Sequence, residues 1–417
     1  MTMGTKKTAK RAAVKRPAAK HTTAKRTAPP KATVKKRVKL QAGKARAGRG
    51  AAPKGNPELL RLLDEIGKRK ELVGEYLGKK DRPDRFRPDD IYRGVHSYLD
   101  AGGKALRAAV LLFSCGAVGG DEDKALPAAA AIEVYHAWTL VHDDIIDRDL
   151  KRRGVPTVHE EIKQQAVKKL KLKADEAAHY GVAMAILAGD LQQGWTISLL
   201  AELAREKGVN PILVLQLILD LEVDVQCALI EGEALDVQYS KLPLESLNEE
   251  KILEMLWKKT GALYQYAGKA GAMIGLDQPN ARHPHVEALA QFTSNCGIAF
   301  QLQDDILGIL GDEKKLGKPV GSDIREGKRT TIVFHALKEA GRGDRAFLLR
   351  TLGNQKATLG QVKRAKDLLV KLGGVDHTIE LAEKYVKRAF AALEPLPESD
   401  YKRLLLAWAN FMVKREY

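Results

Sequence analysis

The sequence predicts an all-α protein, a large bundle of about ten or more helices. Three observations support this fold class. From Pro57 onward, apolar residues recur at helical spacing, beginning with Leu59, Leu62, Leu63 and Ile66. The alternation of apolar and polar residues that is typical of strands is nearly absent. Glycine, proline and asparagine separate the apolar segments where turns are expected.

The predicted helices follow one another along the body of the chain. Apolar, alanine-rich segments of several helical turns lie at 105–119, 125–147, 178–205, 210–231, 249–275, 285–311, 330–340, 361–371, 376–393 and 399–414. Turns are expected at Gly102-Gly103, Gly119-Gly120, Gly154 to Pro156, Asn210-Pro211 and Gly317 to Gly327. Since no internal repeat of solenoid length is present, the pattern favours one all-α domain over residues 57–417.

The N-terminal segment, residues 1–56, differs from the body in composition. Its first 55 residues hold 18 of the 70 lysines and arginines and no aspartate or glutamate. The rest of the chain carries 52 basic and 53 acidic side chains, so the net charge of +17 comes from this segment. Because it cannot bury enough apolar surface to offset its ordering entropy, we predict a disordered tail. Three interpretations stay open: a solubilising extension, binding to a polyanion such as nucleic acid or an anionic membrane, and targeting.

Cysteine content and hydropathy argue against several classes of protein. Cys115, Cys227 and Cys296 are widely spaced and form no CxxC pair, which argues against a zinc site and a disulfide framework. No apolar run is long enough to span a membrane, and the N-terminus lacks the apolar region of a secretory signal. We therefore expect a cytoplasmic protein.

Two acidic clusters carry the candidate chemistry. The first, HDDIIDRD at His142–Asp149, ends an apolar helix, and Asp143 and Asp147 are four residues apart on one helix face. The second, QLQDD, ends at Asp304 and Asp305 and follows another apolar helix. One such cluster is more often a solvated helix end. Two that face one cavity would hold several Mg²⁺ ions around a diphosphate, because Mg²⁺ prefers oxygen ligands and shares its shell with phosphates.

Basic residues accompany both clusters. They are Lys104 and Arg107 after a Gly-Gly pair, Arg152 and Arg153 after the first cluster, Lys258 and Lys259 before Thr260, and Lys318 and Lys328 in a glycine-rich stretch. Each alone is typical of a surface charge. Together they indicate a site for two diphosphates and magnesium.

These motifs together resemble those of the trans-isoprenyl diphosphate synthases, or polyprenyl synthetases, a family that includes farnesyl and geranylgeranyl diphosphate synthases. Five elements stand in family order over nearly all of residues 57–417: GGKALR, HAWTLVHDDIID, RRG, KKTG, and FQLQDD followed by GKPVGSDIREGK. The resemblance implies an isoprenoid synthase-like catalytic domain, with its helices around a central cavity, that forms a homodimer. It implies magnesium-dependent, head-to-tail condensation of isopentenyl diphosphate with an allylic diphosphate. The implied product is geranylgeranyl diphosphate (C20), with farnesyl diphosphate or a longer polyprenyl diphosphate as alternatives.

The resemblance also implies a role for each motif residue. Isopentenyl diphosphate would be bound by Lys104, Arg107, His136 and Arg153. The allylic diphosphate would be bound by Arg152, Lys259, Thr260, Gln301, Lys318 and Lys328. About three magnesium ions would be ligated by Asp143, Asp147 and Asp304. The catalytic set would be Asp143, Asp144, Asp147, Asp304, Asp305 and Lys259.

Product length is expected to depend on aromatic residues upstream of the first acidic cluster. Trp138 precedes Asp143 by five residues and would block a long prenyl tail, and an aromatic there resembles the short-chain members of the family. Tyr135, about one turn deeper, is the alternative floor of the tunnel. Both residues could instead pack in the core, as most large aromatics do.

The sequence departs from the family pattern at three places. GGKALR replaces the more usual GGKRxRP, Gly308 replaces the last aspartate of a second DDxxD, and Gly232-Glu233 replaces the usual GQ. Because Lys104, Arg107, Asp304 and Asp305 remain, we expect an active enzyme.

Two other classes of protein stay open as alternatives. A terpene cyclase would share the helices and the metal chemistry, but it would not need GGKALR or His136 because it binds no isopentenyl diphosphate. A non-catalytic regulatory or interaction subunit would not need intact acidic clusters. Deletion of residues 1–55 should leave turnover intact and abolish any salt-sensitive binding to polyanions if the tail is an accessory.

Overall fold

The computed structural model describes residues 57–81, 85–152, 154–311 and 321–413. These residues are overwhelmingly helical, and their only strands are the antiparallel pair β1 (Lys151–Arg152) and β2 (Val155–Pro156). The predicted all-α fold is therefore confirmed. The tail predicted at residues 1–56 lies outside the described residues, as do Arg153 and Lys318.

The helices match most of the predicted segments and add several more. They are α1 (Pro57–Lys80), α2 (Asp89–Asp100), α3 (Leu106–Ala117), α4 (Glu122–Ile146), α5 (Val158–Lys169), α6 (Ala174–Lys207), α7 (Pro211–Leu219), α8 (Gln226–Tyr239), α9 (Glu249–Leu256), α10 (Ala262–Leu276), α11 (Pro284–Leu310), α12 (Ser322–Glu326), α13 (Thr331–Glu339), α14 (Arg342–Thr351), α15 (Leu359–Lys371), α16 (Gly374–Ala392) and α17 (Asp400–Val413). No helix among them combines the length and apolarity needed to cross a membrane.

Two of these helix pairs are continuous. A π-helical turn at Asp220–Val225 joins α7 to α8, and another at Trp257–Gly261 joins α9 to α10. Each turn contains one more residue than an α-helical turn and so rotates the side chains that follow it. The second π-turn contains the whole KKTG motif, so this motif is helical rather than part of a loop.

The centre of the bundle is α3, which packs against α4 and α10. Every residue of α3 except Arg107 is buried, as expected of a helix that is apolar on all sides. Small residues allow this packing to be tight: a Cβ added to Gly271 of α10 would lie 2.1 Å from the carbonyl oxygen of Leu111. Arg107, the one charged residue of α3, lies at the edge of the core, where it reaches a cavity.

Candidate active site

One cavity, about 1260 Å³ in volume, is lined by the C-terminal ends of both α4 and α11. It brings the two acidic clusters together with most of the predicted basic residues. The predicted site residues that line it are Lys104, Arg107, His136, Trp138, Asp143, Asp147, Arg152, Lys259, Thr260, Gln301, Asp304, Asp305 and Lys328. Tyr135 and Asp144 are not among the residues that line it.

Three carboxylates form the candidate cation site. One oxygen atom from each of Asp143, Asp147 and Glu233 lies within 4.8 Å of the others. The two aspartates share a face of α4, whereas Glu233 comes from α8. Burial raises the pKa of Asp147 and of Glu233, so the protein leaves their negative charge only partly compensated. A partly buried set of carboxylate oxygens is a donor set that fits Mg²⁺.

Arg152 pairs with both of the adjacent aspartates, Asp143 and Asp144. It lies on β1, and its Nη2 atom is 2.9 Å from Oδ2 of Asp143 while its Nε donates to Oδ1 of Asp144 at 2.8 Å. Asp144 is fully buried and also accepts a hydrogen bond from the hydroxyl of Tyr98. The sequence predicted Asp144 as a catalytic residue. That role stays a prediction; in the structure, Asp144 holds Arg152 beside Asp143.

Two lysines lie next to the carboxylates. Nζ of Lys259 is 2.8 Å from Oε2 of Glu233 and 2.7 Å from Oδ2 of Asp236. Nζ of Lys328 is 3.3 Å from Oδ2 of Asp147. Burial alone would lower the pKa of both lysines, but the surrounding carboxylates, with Asp236 the largest contributor, raise it above the usual value. Both side chains therefore stay positively charged at neutral pH and suit a diphosphate.

The π-turn at Trp257–Gly261 positions Lys259 and Thr260. A Cβ added to Gly232 of α8 would lie 2.4 Å from the backbone nitrogen of Lys259, so only glycine allows this close approach. The hydroxyl of Thr260 donates to Oε1 of Gln301 at 2.9 Å. This contact connects the π-turn to α11 and to the second acidic cluster.

Asp323, from α12, lies beside the second acidic cluster. Gln301 donates to Oδ1 of Asp305 at 3.1 Å, and burial, followed by repulsion from Asp323, raises the pKa of Asp305 well above its usual value. A Cβ added to Gly308 would lie 2.6 Å from Oδ2 of Asp323. The carboxylate of Asp323 thus lies against the position where the family pattern has its third aspartate. Asp304 lines the same cavity.

Comparison with known proteins agrees with this geometry. The family model for polyprenyl synthetases matches residues 88–369 of the chain. The chain belongs to the polyprenyl synthetase family. A geranylgeranyl diphosphate synthase of Methanosarcina mazei is 35% identical over 359 residues, which are 86% of this chain and 99% of that protein. Other relatives are named geranylfarnesyl diphosphate synthase.

Solved structures of polyprenyl synthetases have the same fold. The geranylgeranyl pyrophosphate synthetase of Pyrococcus horikoshii superposes with a TM-score of 0.73 at 37% identity, covering 86% of this chain and 99% of that one. The geranylgeranyl pyrophosphate synthase of Corynebacterium glutamicum, complexed with isoprenyl diphosphate and magnesium, gives a TM-score of 0.70 at 25% identity, with coverage of 86% and 99%.

In this polyprenyl synthetase, the GGKALR motif forms a second basic region of the cavity. Gly102 has a φ of +71°, and the loop leads into α3 through Ala105, which is also left-handed. Nη1 of Arg107 lies 3.1 Å from Nε2 of His136, and the guanidinium carbon lies 4.4 Å from the centroid of the Tyr264 ring. The arginine is therefore held in one orientation, with its charge at the cavity wall.

The two candidate chain-length residues occupy different layers of the synthetase. Trp138 lines the cavity, whereas Tyr135 is fully buried. Their rings meet edge to face with centroids 4.8 Å apart. Tyr135 therefore lies behind Trp138 as a second layer rather than beside it at the wall.

Three site residues were not predicted as such from the sequence. Glu233 was noted only as a departure from the usual GQ, and Asp236 and Asp323 were not singled out. One signal was available for the first two, since Glu233 and Asp236 are three residues apart and so share a face of α8. Nothing in the local sequence indicates which other helices that face meets.

Proposed function

We propose that this polyprenyl synthetase condenses isopentenyl diphosphate with an allylic diphosphate, head to tail, to give geranylgeranyl diphosphate. The observation that carries the proposal is that one cavity is lined by both acidic clusters and by two separate basic regions. Lys259 and Lys328 would bind the allylic diphosphate, while Lys104 and Arg107 would bind isopentenyl diphosphate. Two diphosphates in one cavity require two sets of cations, and the site has them.

We infer that the enzyme depends on magnesium, with about three ions per active site. Asp143, Asp147 and Asp304 would hold them. When bound, magnesium neutralises the charge that develops on the departing diphosphate. The protein's own residues hold the two substrates in position. The apolar wall that includes Trp138 excludes water from the reacting carbons.

A terpene cyclase is the weaker candidate. It would bind a single diphosphate and would have no use for a second basic region. The Arg107–His136 pair, held against Tyr264 at the cavity wall, therefore supports the synthase. A product assay with magnesium, isopentenyl diphosphate and each allylic diphosphate in turn tests the proposal directly. Folded protein that condenses no primer would contradict it.

Replacement of Trp138 by alanine is expected to shift the products toward chains longer than C20. The indole lines the cavity, and its removal opens space for a longer prenyl tail. Products would be resolved by chain length after dephosphorylation. Tyr135→Phe is the matched control, because it keeps the second-layer ring and should leave product length unchanged. Unchanged products from a folded Trp138→Ala variant would exclude Trp138 as the floor.

We also propose that the synthetase forms a homodimer through α6, α7 and the π-turn that follows α7. Ile212, Leu215, Leu219 and Val223 recur at helical spacing and are 54–61% exposed, which is unusual for large apolar side chains on one helix face. On α6, Leu187 is also exposed. A stripe of this kind is typical of a surface that is covered in an oligomer.

Leu219→Glu is expected to convert the dimer to a monomer, because it places a charge in the apolar stripe. Light scattering after size exclusion should give the monomer mass for the variant and twice that mass for the wild type. Leu359→Glu on α15, where the leucine is 79% exposed, supplies the control and should remain dimeric. A monomeric wild type would refute this interface.

A further inference from the structure

Glu233 is the residue of the cation site that the family resemblance does not explain. It stands where the usual pattern has glutamine. Its Oε2 atom pairs with Nζ of Lys259 at 2.8 Å. Its Oε1 atom is buried and has no hydrogen-bond partner among the described residues. One carboxylate oxygen of Glu233 lies within 4.8 Å of an oxygen from both Asp143 and Asp147.

We propose that Glu233 is a third carboxylate ligand of the divalent cation that Asp143 and Asp147 hold. The inference rests on the proposed magnesium-dependent function and adds to it a ligand from α8. Magnesium and related cations bind oxygen donors, and the affinity of such sites rises with the number of charged ligands. Glutamate supplies a full negative charge where glutamine would supply a neutral oxygen.

The competing explanation is that Glu233 serves only as a counter-ion for Lys259. Lys259 already has Asp236 at 2.7 Å and Asp143 at 3.4 Å, so its charge is matched without Glu233. If Glu233 were only a counter-ion, its buried Oε1 atom would also lack a hydrogen-bond partner, which costs free energy. A cation bound by Glu233 together with the two aspartates would give this carboxylate a second partner.

Glu233→Gln is the decisive variant, because it keeps the shape of the side chain and removes its charge. Binding of Mn²⁺, a paramagnetic substitute for Mg²⁺, would be titrated on the full-length protein by electron paramagnetic resonance, with and without inorganic diphosphate. We expect the dissociation constant for Mn²⁺ to rise roughly ten- to a hundredfold, the range seen when a residue that supports a metal site is lost. Glu233→Asp, whose carboxylate is withdrawn by one methylene, should have a dissociation constant between those of the wild type and Glu233→Gln.

Glu231→Gln provides the matched control. Glu231 lies two residues away on the same helix, pairs with Lys258 at 2.6 Å, and does not line the cavity. Its variant should bind Mn²⁺ within about twofold of the wild type, since an exposed ion pair contributes little. Wild-type Mn²⁺ affinity in a folded Glu233→Gln variant would overturn the inference. A change confined to metal-free diphosphate binding would also overturn it and would assign Glu233 to Lys259.

The product assay separates this inference from the function on which it rests. If the wild type condenses its substrates but Glu233→Gln keeps full Mn²⁺ affinity, only the third ligand is refuted. If the wild type binds Mn²⁺ through Glu233 but condenses no primer, the ligand is supported and the proposed reaction fails.

Discussion

Asp143→Asn is expected to reduce the condensation rate by about a thousandfold while leaving the protein folded. The substitution removes a charge from the centre of the cation site, where Asp143 lies within 4.8 Å of the oxygens of Asp147 and Glu233. Loss of cation stabilisation at the departing diphosphate would account for several kcal/mol of the barrier. Rates would be measured over a range of magnesium concentrations, and excess magnesium should recover part of the loss.

Asp149→Asn provides the control within the same acidic run. Asp149 belongs to the first acidic cluster but does not line the cavity. The same change of charge there should leave the rate close to that of the wild type. A rate within tenfold of the wild type for Asp143→Asn would rule out a metal-holding role for Asp143.

Periodicity predicted most of the long apolar helices and missed several short or charged ones. α5 was missed, since its buried face consists only of Val158, Ile162 and Ala166 within a charged sequence. The packing of that narrow face against α6 decides its structure, and a window of sequence does not contain that partner. The π-turns were also missed, because one extra residue in a turn shifts the phase of the apolar pattern without interrupting it.

In the candidate site too, spacing along the sequence predicts contacts within one helix but not contacts between elements. Motif spacing alone placed Asp143 and Asp147 on one face, and the structure has them there. The addition of Glu233 depends on how α8 lies against the π-turn at Trp257–Gly261, a close approach that Gly232 permits by its lack of a side chain. The pairing of Asp144 with Arg152 depends on where β1 places that arginine. Tertiary packing of this kind is outside the reach of spacing rules.

Asp144→Ala is expected to destabilise the fold by about 3 kcal/mol, because removal of one partner from a buried ion pair leaves the other charge poorly compensated. Arg152 would lose the carboxylate that accepts from its Nε at 2.8 Å. It would keep Asp143 at 2.9 Å, which places the expected effect at the lower end of the range for such pairs. The free energy of unfolding would be measured by urea denaturation.

The pairing of Asp144 with Arg152 can be separated from a direct role in the reaction by a double variant. Asp144→Leu with Arg152→Met removes both charges together and should recover much of the lost stability, since neither charge is then buried alone. Asp149→Ala should change the free energy of unfolding by much less. If Asp144→Ala unfolds like the wild type yet loses as much activity as Asp143→Asn, then Asp144 contacts the metal or substrate directly, as the sequence first indicated.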